Sequence, residues 1–322
     1  MSAKYRVLIT DRAWPDCEVE KQELARVDAE VIEAPPGADE QTLIEHATGV
    51  DAIATCWAQV TRPVIEAAPD CKTIARLGIG LDNIDVEYAT SQKIPVTNVP
   101  DYCIPEVADH AIALMLASLR NVAYFHQQTK QGVYDLSAAP MPRRVSTLTM
   151  GLFGFGLTGQ AVAERARAFG MQVIATNSSG NDYGTGTKMV DFEELLAESD
   201  VISIHAPLTE ATEHQFDAAA FEKMKSTSLI INTSRGALIE FDALKSAIQN
   251  QSIAGAALDV FDPEPPDLTD PFFQHERVIA TPHAAFISSE SLDELRAQAA
   301  RQIADVLVGK ETTNVVNPEA LA

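Results

Sequence analysis

Short runs of apolar residues alternate with amphipathic stretches along the first third of the chain. The runs predicted as strands are residues 6–10, 30–33, 52–55, 73–77 and 96–98. Segments between them, such as residues 18–27 and 40–47, have the apolar spacing of helices. Strand–helix alternation of this kind predicts a parallel sheet that is covered by helices on both faces.

Residues 105–120 form a stretch that opens with proline and is apolar on nearly all sides. This pattern predicts a helix that is either buried in the core or covered by a partner subunit. After a polar stretch, a second alternating series begins. Its predicted strands are residues 149–153, 172–176, 201–205, 229–233, 253–259 and 278–281, and residues 291–307 form a last amphipathic helix. The two series predict an α/β protein with two parallel-sheet domains.

At 322 residues and 46% hydrophobic content, the chain is long enough for two folded domains. Its longest apolar run, residues 111–117, is too short to span a bilayer, and its N-terminal residues lack the pattern of a signal peptide. We therefore expect a soluble, cytoplasmic protein. The four cysteines lack the close pairing of metal sites, so we expect reduced thiols and no bound metal.

The formal net charge of −22 argues against binding to nucleic acids and to anionic membranes, because the long-range field would repel both. The charge does not identify a substrate. An anionic substrate would need a local cationic site, so arginines near the ends of predicted strands become informative.

A glycine-rich turn lies between a predicted strand and a predicted helix. Gly154, Gly156 and Gly159 fit the pattern G-x-G-x-x-G, and a second strand follows the helix. In this context the first glycine permits a tight turn, the second lets the backbone approach a pyrophosphate, and the third lets the helix pack on the strand. The pattern predicts a dinucleotide site, and the alternative is a turn with only a structural role.

The second strand of this series ends at Asn177, where an acidic residue usually binds the adenosine ribose and excludes a 2′-phosphate. Asn177 is neutral, so the charge repulsion against NADP is missing. No arginine follows closely, although Lys188 is within reach along the sequence. The hypothesis is relaxed specificity, with both NAD and NADP accepted.

Three candidate catalytic residues follow predicted strands of the second series. Arg235 lies in NTSRG, Glu264 in DPEPP and His283 in TPHAA. A cation that binds a carboxylate, an acid–base group and a carboxylate that tunes that group are the requirements for chemistry on a 2-oxo acid. Taken singly, each has another interpretation: a surface ion pair, a loop glutamate and a packed loop histidine.

Together with the glycine turn, these motifs resemble those of the D-isomer-specific 2-hydroxyacid dehydrogenases over almost the whole chain. The matching segments are RLGIGLDNID, NVPDYCIPEVADHAIALML, GLFGFGLTGQAVAERARAFGMQV, HAPLTEAT, INTSRGALI, AGAALDVFDPEPP and TPHAA. The first two look closest to the branch of the C-terminal-binding proteins and phosphoglycerate dehydrogenase-like enzymes. The resemblance implies a flavodoxin-like substrate domain, residues 1–102 and 287–322, and a Rossmann-type dinucleotide-binding domain, residues 103–286.

The resemblance also implies roles for individual residues. Arg235 is expected to bind the substrate carboxylate and polarise the carbonyl, and His283 to exchange a proton with the substrate oxygen. Glu264 is expected to hydrogen-bond His283 and favour its protonated form. In the other domain, Arg76 and the backbone N–H groups of Ile79 and Gly80 are the expected contacts of the substrate.

The expected cofactor contacts surround the glycine turn and the following strand ends. They are Gly154, Gly156, Leu157, Thr158, Gly159, Asn177, His205, Pro207, Thr212, Thr233 and Asp259. Asp259 is expected to hold the nicotinamide carboxamide, and the alternative is that it caps a turn. Leu157 stands where the family often has arginine, and Phe286 stands where the nearest branch has tryptophan beside the substrate.

The sequence therefore predicts an enzyme that transfers a hydride between NAD(P)H and a small 2-oxo acid, with a D-2-hydroxy acid as the reduced product. The alternative is a dinucleotide-sensing, corepressor-like scaffold that binds partner peptides, since such relatives retain the same three residues. A homodimer is expected by resemblance, with the apolar helix at residues 107–119 at its interface. The alternative is that this helix is buried in the core of its own domain.

Overall fold

The computed structural model describes residues 3–322, which form two compact units. The first unit contains residues 3–102 together with Ser288–Ala322, and the second contains Cys103–Ile287. The chain therefore returns to its first unit for the C-terminal helix.

The first unit contains a five-stranded sheet in which every pair of neighbouring strands is parallel. Its strands are β1 (Tyr5–Ile9), β2 (Ala29–Glu33), β3 (Ala52–Thr55), β4 (Ile74–Arg76) and β5 (Val96–Thr97). Its helices are α1 (Glu18–Leu24), α2 (Glu40–Ala47), α3 (Arg62–Glu66), α4 (Val86–Ser91) and the C-terminal α11 (Ser289–Leu307). The strand order is β2-β1-β3-β4-β5, which is the flavodoxin-like order.

The second unit contains a seven-stranded parallel sheet. Its strands are β6 (Thr149–Phe153), β7 (Gln172–Thr176), β8 (Lys188–Met189), β9 (Val201–Ile204), β10 (Leu229–Asn232), β11 (Gly255–Leu258) and β12 (Val278–Ala280). Its helices are α5 (Ile104–Leu119), α6 (Val122–Lys130), α7 (Leu157–Ala168), α8 (Phe192–Glu198), α9 (Ala218–Lys223) and α10 (Phe241–Gln249). The order β12-β11-β10-β9-β6-β7-β8 reverses direction beside β6, as in dinucleotide-binding sheets.

Side chains at the helix N-termini explain where several helices begin. At five of them the residue before the helix accepts a hydrogen bond from a backbone N–H of the first turn. These capping residues are Asp39, Asp85, Asp191, Asp217 and Ser288. At α11, Ser288 and Ser291 form a reciprocal capping box.

Helix α5 is one of the core elements of the second unit. It packs against α7 and against β10 and β11, and its buried residues include Ala108, Ile112 and Met115. The apolar pattern of this helix is therefore explained largely by the core of its own unit. The sequence left open whether this helix is buried in the core or covered by a partner subunit. Burial in the core accounts for most of its apolar face.

The predicted fold class, α/β with two doubly wound parallel sheets, is confirmed. All predicted strands are present within a few residues, but the two-residue strand β8 was not predicted. Within residues 3–322, no helix is long and apolar enough to cross a membrane. The same residues contain no group of three or more metal-ligating side chains that could hold an ion.

Candidate active site

The glycine turn joins β6 to α7 and is shaped by close backbone contacts. Gly154 has a φ of +95°, and a Cβ there would lie 2.5 Å from the backbone of Ala206. At Gly159 a Cβ would lie 2.4 Å from the carbonyl oxygen of Gly154. Around Gly156, in contrast, a Cβ would meet nothing within 4 Å. Two glycines therefore allow the turn to close, and the third leaves open space above it.

Three features of the sheet edge at the glycine turn fit a bound dinucleotide. The first is the space above Gly156. The second is that the N–H groups of Leu157 and Thr158, at the start of α7, donate to no acceptor within the described part of the chain. The third is the hydroxyl of Thr233, which follows β10, is buried and has no hydrogen-bond partner among the described residues.

Asn177 lies directly after β7, but its side chain forms hydrogen bonds within its own loop. Its Nδ2 donates to the Asn181 carbonyl at 2.9 Å, and its Oδ1 accepts from the Ser179 hydroxyl at 3.2 Å. Lys188 does not fold back toward it, since its ammonium forms an ion pair with Glu194. No acidic residue occupies the end of β7.

The loop after β9 contains three further predicted cofactor contacts. Thr212 closes this loop by donating to the Pro207 carbonyl at 2.7 Å and accepting from the Thr209 N–H at 2.9 Å. His205 lies at its start, with Nε2 2.8 Å from the Ser203 hydroxyl. Burial lowers the pKa of His205 to about 4, so its ring is neutral at physiological pH.

Arg235, Glu264 and His283 follow β10, β11 and β12, three neighbouring strands of one sheet. Because the carboxyl ends of parallel strands lie at the same edge, residues far apart in sequence meet there. The Asn232 side chain fixes the backbone of Arg235, since its Nδ2 donates to the Arg235 carbonyl at 2.8 Å. Gly236 allows this segment to approach the next loop, because a Cβ there would lie 2.0 Å from the Phe261 carbonyl carbon.

Nδ1 of His283 lies 2.8 Å from Oε2 of Glu264, and the other oxygen of Glu264 accepts from the Phe261 N–H at 2.8 Å. Burial alone would raise the pKa of Glu264. The hydrogen bond to His283, the charge of His283, the Phe261 N–H and the charge of Arg235 outweigh burial and hold this pKa below its usual value. Glu264 is therefore ionised at neutral pH, and it accepts a hydrogen bond from the Nδ1–H of His283.

His283 has a φ of +52°, which is uncommon for a residue with a side chain. Its N–H donates to the Asp259 carbonyl at 2.8 Å. The ring of Phe286 meets the His283 ring edge-on at a centroid distance of 6.0 Å. Phe286 thus places an apolar ring beside His283, without the indole N–H that a tryptophan would add.

Asp259 is fully buried, and both of its carboxylate oxygens are engaged by the protein. They accept from the Thr281 hydroxyl, from Ala284 N–H at 2.9 Å and from Ala285 N–H at 2.8 Å. Its carboxylate therefore caps the turn around His283, which is the alternative recognised from the sequence. The binding of a carboxamide by Asp259 stays a prediction.

His110, on α5, was not predicted from the sequence, but it lies close to Thr281 and Asp259. Its Nε2 lies 3.0 Å from the Thr281 hydroxyl and 3.6 Å from Oδ1 of Asp259. The apolar pattern of α5 indicates packing in the core. A histidine within that apolar pattern was the only sign in the sequence of another role.

In the first unit, the loop after β4 contains the predicted substrate contacts. Arg76 is buried, and its Nε donates to Oδ1 of Asn83 at 3.1 Å. The N–H groups of Ile79 and Gly80 donate to no acceptor among residues 3–322. Asn98 holds this loop by donating to the Ile79 carbonyl at 2.8 Å. The loop thus presents two N–H groups beside a buried cation, as an anion site requires.

Two solved structures are similar to this chain over nearly their full length. The D-lactate dehydrogenase of Aquifex aeolicus, solved with NAD and lactic acid, has a TM-score of 0.85 at 26% identity and covers 94% of this chain and 96% of its own. The NADPH-dependent glyoxylate/hydroxypyruvate reductase of Sinorhizobium meliloti, solved with NADP and malonate, also has a TM-score of 0.85, at 27% identity. That match covers 99% of this chain and 98% of the reductase.

Similarity in sequence extends over the same length. The glyoxylate reductase of Korarchaeum cryptofilum is 35% identical over 99% of this chain and 97% of the relative. The hydroxypyruvate reductase of Thermotoga maritima is 37% identical over 90% of this chain and 94% of the relative. The family model for the NAD-binding domain of D-isomer-specific 2-hydroxyacid dehydrogenases matches residues 112–285. The chain therefore belongs to this family and is an NAD(P)-dependent oxidoreductase.

Proposed function

We propose that this enzyme reduces small, unphosphorylated 2-oxo acids such as glyoxylate and hydroxypyruvate to their D-2-hydroxy acids. The observation that carries the proposal is the 2.8 Å pair of His283 and Glu264, on the same sheet edge as Arg235 and the glycine turn. The similar glyoxylate and hydroxypyruvate reductases support the substrate class.

Each member of the trio has a distinct part in the reaction. The guanidinium of Arg235 binds the substrate carboxylate and polarises the neighbouring carbonyl. Glu264 holds the Nδ1–H of His283, so Nε2 is the ring nitrogen that delivers a proton to the carbonyl oxygen. In the reverse direction, Nε2 accepts the hydroxyl proton. The nicotinamide, when bound, supplies or accepts the hydride.

The residues that would hold the cofactor lie around the glycine turn and at the carboxyl ends of β7, β9 and β10. Gly156 leaves room for the pyrophosphate, and the first N–H groups of α7 would bind it. The neutral Asn177, with its side chain engaged in its own loop, supports acceptance of both NAD and NADP. Kinetics with each cofactor test this, and an NAD preference above about a thousandfold, or about 4 kcal/mol, would contradict it.

Trp57 supports an unphosphorylated substrate. This residue follows β3, beside the loop after β4, and 40% of it is exposed. Asp11 fixes its backbone by accepting from the Trp57 N–H at 2.7 Å. The indole offers apolar surface, and the nearby Arg12 is paired with Glu33 at 3.0 Å. The Trp57 side chain therefore offers a phosphate no positive charge, and the substrate roles of Arg76, Ile79 and Gly80 stay predictions.

The experiment is initial-rate consumption of NADH and NADPH with glyoxylate, hydroxypyruvate and phosphohydroxypyruvate. We expect the first two acids to be reduced. His283→Ala should lower kcat by about a hundredfold or more, because general acid–base catalysis contributes that much. His46→Ala, at a partly exposed position on α2 of the first unit, is the matched control and should be silent.

The possible outcomes separate the parts of the proposal. Trp57→Arg should raise kcat/KM for the phosphorylated acid relative to glyoxylate. Preference of the unaltered enzyme for the phosphorylated acid would refute the substrate class. Full activity in His283→Ala would refute its role, and no turnover on any acid would favour the scaffold.

A homodimer is also proposed. Its interface includes the predicted helix at residues 107–119 and, in addition, the surface around α6. Large apolar side chains are exposed there, including Val122 at 55%, Leu136 at 88% and Met141 at 90%. A monomer rarely exposes so many apolar side chains within one short segment, and a second copy of the chain would cover them. Sedimentation should show a dimer at micromolar concentration, and Leu136→Asp with Met141→Asp should weaken it. A monomer in the unaltered protein would contradict the proposal.

The cytoplasm is the proposed compartment. The four cysteines are buried thiols, and burial raises the pKa of Cys17, Cys56 and Cys71 to about 12. Cysteines in the thiol form fit a reducing environment. Fractionation of the source cells should recover the activity with cytoplasmic markers, and recovery with exported proteins would contradict this.

A further inference from the structure

A polar cluster lies behind His283 in the second unit. It consists of His110 on α5, Asp259 after β11 and Thr281 after β12. Asp259 is fully buried, and the side chain of His110 is 24% exposed. Asp109, the residue before His110, forms an ion pair with Arg165 at 2.5 Å. This ion pair anchors this part of α5 to α7.

The hydrogen bonds of the cluster have one consistent direction. The Thr281 hydroxyl donates its single hydrogen to Oδ1 of Asp259. The Thr281 oxygen can then only accept from Nε2 of His110, 3.0 Å away. Nε2 of His110 therefore carries a hydrogen, and the chain of donors runs from His110 through Thr281 to Asp259.

This chain ends on the backbone that holds His283. The Asp259 carboxylate accepts from Ala284 and Ala285 N–H, while the His283 N–H donates to the Asp259 carbonyl. These bonds hold His283 in its left-handed conformation, φ +52°. A conformation of this kind persists only where the surrounding structure fixes it.

We propose that His110 is a positioning residue for the catalytic His283, acting through Thr281 and Asp259. The inference rests on the proposed function in that His283 is taken as the acid–base group. His110 keeps the turn in the one conformation that aims the His283 ring at Glu264. Loss of its N–H donor allows the turn to relax and separates the ring from Glu264.

The test compares His110→Gln, whose amide nitrogen can replace Nε2 as a donor, with His110→Phe, which fills similar space without a donor. We expect kcat for 2-oxo acid reduction to fall by about tenfold or more in His110→Phe, because small displacements of a catalytic group cost that much. The fall should stay within about threefold in His110→Gln, which keeps the donor. The Kd for NADH should change little in either variant. His46→Phe, at a partly exposed position on α2 of the first unit, is the matched control.

A second measurement does not depend on turnover. Proton NMR of protein labelled with ¹⁵N-histidine should show the imidazole N–H of His283 that is bonded to Glu264, identified by its loss in His283→Gln. We expect this resonance to persist in His110→Gln and to broaden or disappear in His110→Phe. Thr281→Val should behave like His110→Phe, and Thr281→Ser should behave like the unaltered protein.

The outcomes are distinguishable from failure of the proposed function. An unchanged resonance and an unchanged kcat in a folded His110→Phe protein would overturn the inference while leaving the enzyme assignment intact. A higher Kd for NADH with an unchanged kcat would mean that His110 contacts the cofactor instead, which also overturns it. If the unaltered protein reduces no 2-oxo acid, the NMR comparison alone decides whether His110 positions His283.

Discussion

At the scale of single residues, two glycines that follow strands of the second unit lack side chains for different reasons. A Cβ at Gly236 would lie 2.0 Å from the Phe261 carbonyl carbon and 2.5 Å from the Asp262 nitrogen. A Cβ at Gly156 would meet no protein atom within 4 Å. The first glycine lets two backbone segments meet beside Arg235, and the second leaves space for a ligand.

Alanine substitutions should separate these two roles. Gly236→Ala should destabilise the protein by about 1–3 kcal/mol, because rigid backbone must move, and it should lower kcat/KM by displacing Arg235. Gly156→Ala should leave the melting temperature unchanged and raise the Kd for NADH. Thermal unfolding and NADH titration of both variants test this. A destabilised Gly156→Ala protein with normal NADH binding would contradict the assignment.

His205 makes stability depend on pH in a window set by its lowered pKa. Unfolded chains bind a proton near the ordinary histidine value of about 6.5, but the folded protein binds it only near pH 4. Between these values the unfolded state binds more protons, so stability falls as pH decreases. The loss begins below about pH 6.5, is complete below the folded pKa and amounts to about 3 kcal/mol at most.

Urea unfolding at several values between pH 7.5 and 5 measures this effect. His205→Gln should have a flatter profile, because its amide does not titrate and can still bond the Ser203 hydroxyl. Carboxylates titrate alike in both proteins, so the difference between the two profiles isolates His205. Parallel profiles would show that His205 does not contribute.

At the scale of elements, the alternation of apolar runs was sufficient to predict the strands. Ala52–Thr55, Thr149–Phe153 and Gln172–Thr176 occur with the predicted bounds, because buried parallel strands are apolar on both faces. Strand β8 was missed, since its two residues, Lys188 and Met189, do not form an apolar run. Helix α1 ends at Leu24 rather than residue 27, where the chain tightens into a 3₁₀ turn.

Candidate residues of the site could be found because they follow strands, and the family resemblance implied the hydrogen bond between Glu264 and His283. The other contacts of the site could not be predicted. The motifs around Arg235 and His283 indicated chemistry, whereas the role of His110 depends on the packing of α5 against the sheet. Spacing along the sequence does not report that placement. The capping of the His283 turn by Asp259 was recognisable only as an alternative for the same reason.

Helices α1 and α11 are joined by a buried ion pair within the first unit. Nε and Nη2 of Arg296 each donate at 2.9 Å to Glu20, and the two residues are only 7% and 2% exposed. Arg296→Met should cost about 3–5 kcal/mol, because it leaves the Glu20 charge buried without a partner. The double variant with Glu20→Leu should recover much of that loss.

Fluorescence during urea unfolding measures this cost specifically, because both tryptophans, Trp14 and Trp57, belong to the first unit. The control is Arg62→Met, which removes the exposed ion pair with Glu66. It should cost less than about 1 kcal/mol. Equal costs for the two variants would show that burial of the Arg296 pair is unimportant.

At the scale of the whole molecule, the dominant physical property is the net charge of −22. Mutual repulsion among like charges favours the unfolded state, in which they are farther apart. Salt reduces this repulsion, since the Debye length falls from about 30 Å at 0.01 M to about 10 Å at 0.1 M. The stability of this protein should therefore rise with ionic strength.

We expect the melting temperature to rise by roughly 2–5 °C between about 10 mM and 300 mM NaCl. Choline chloride should give the same shift, because screening depends on ionic strength and not on the identity of the cation. The variant Asp293→Asn with Glu294→Gln removes two exposed charges from α11, and its melting temperature should be higher at low salt and less dependent on salt. A melting temperature that is flat or falls with salt would show that local ion pairs, which salt weakens, outweigh the repulsion of the whole charge.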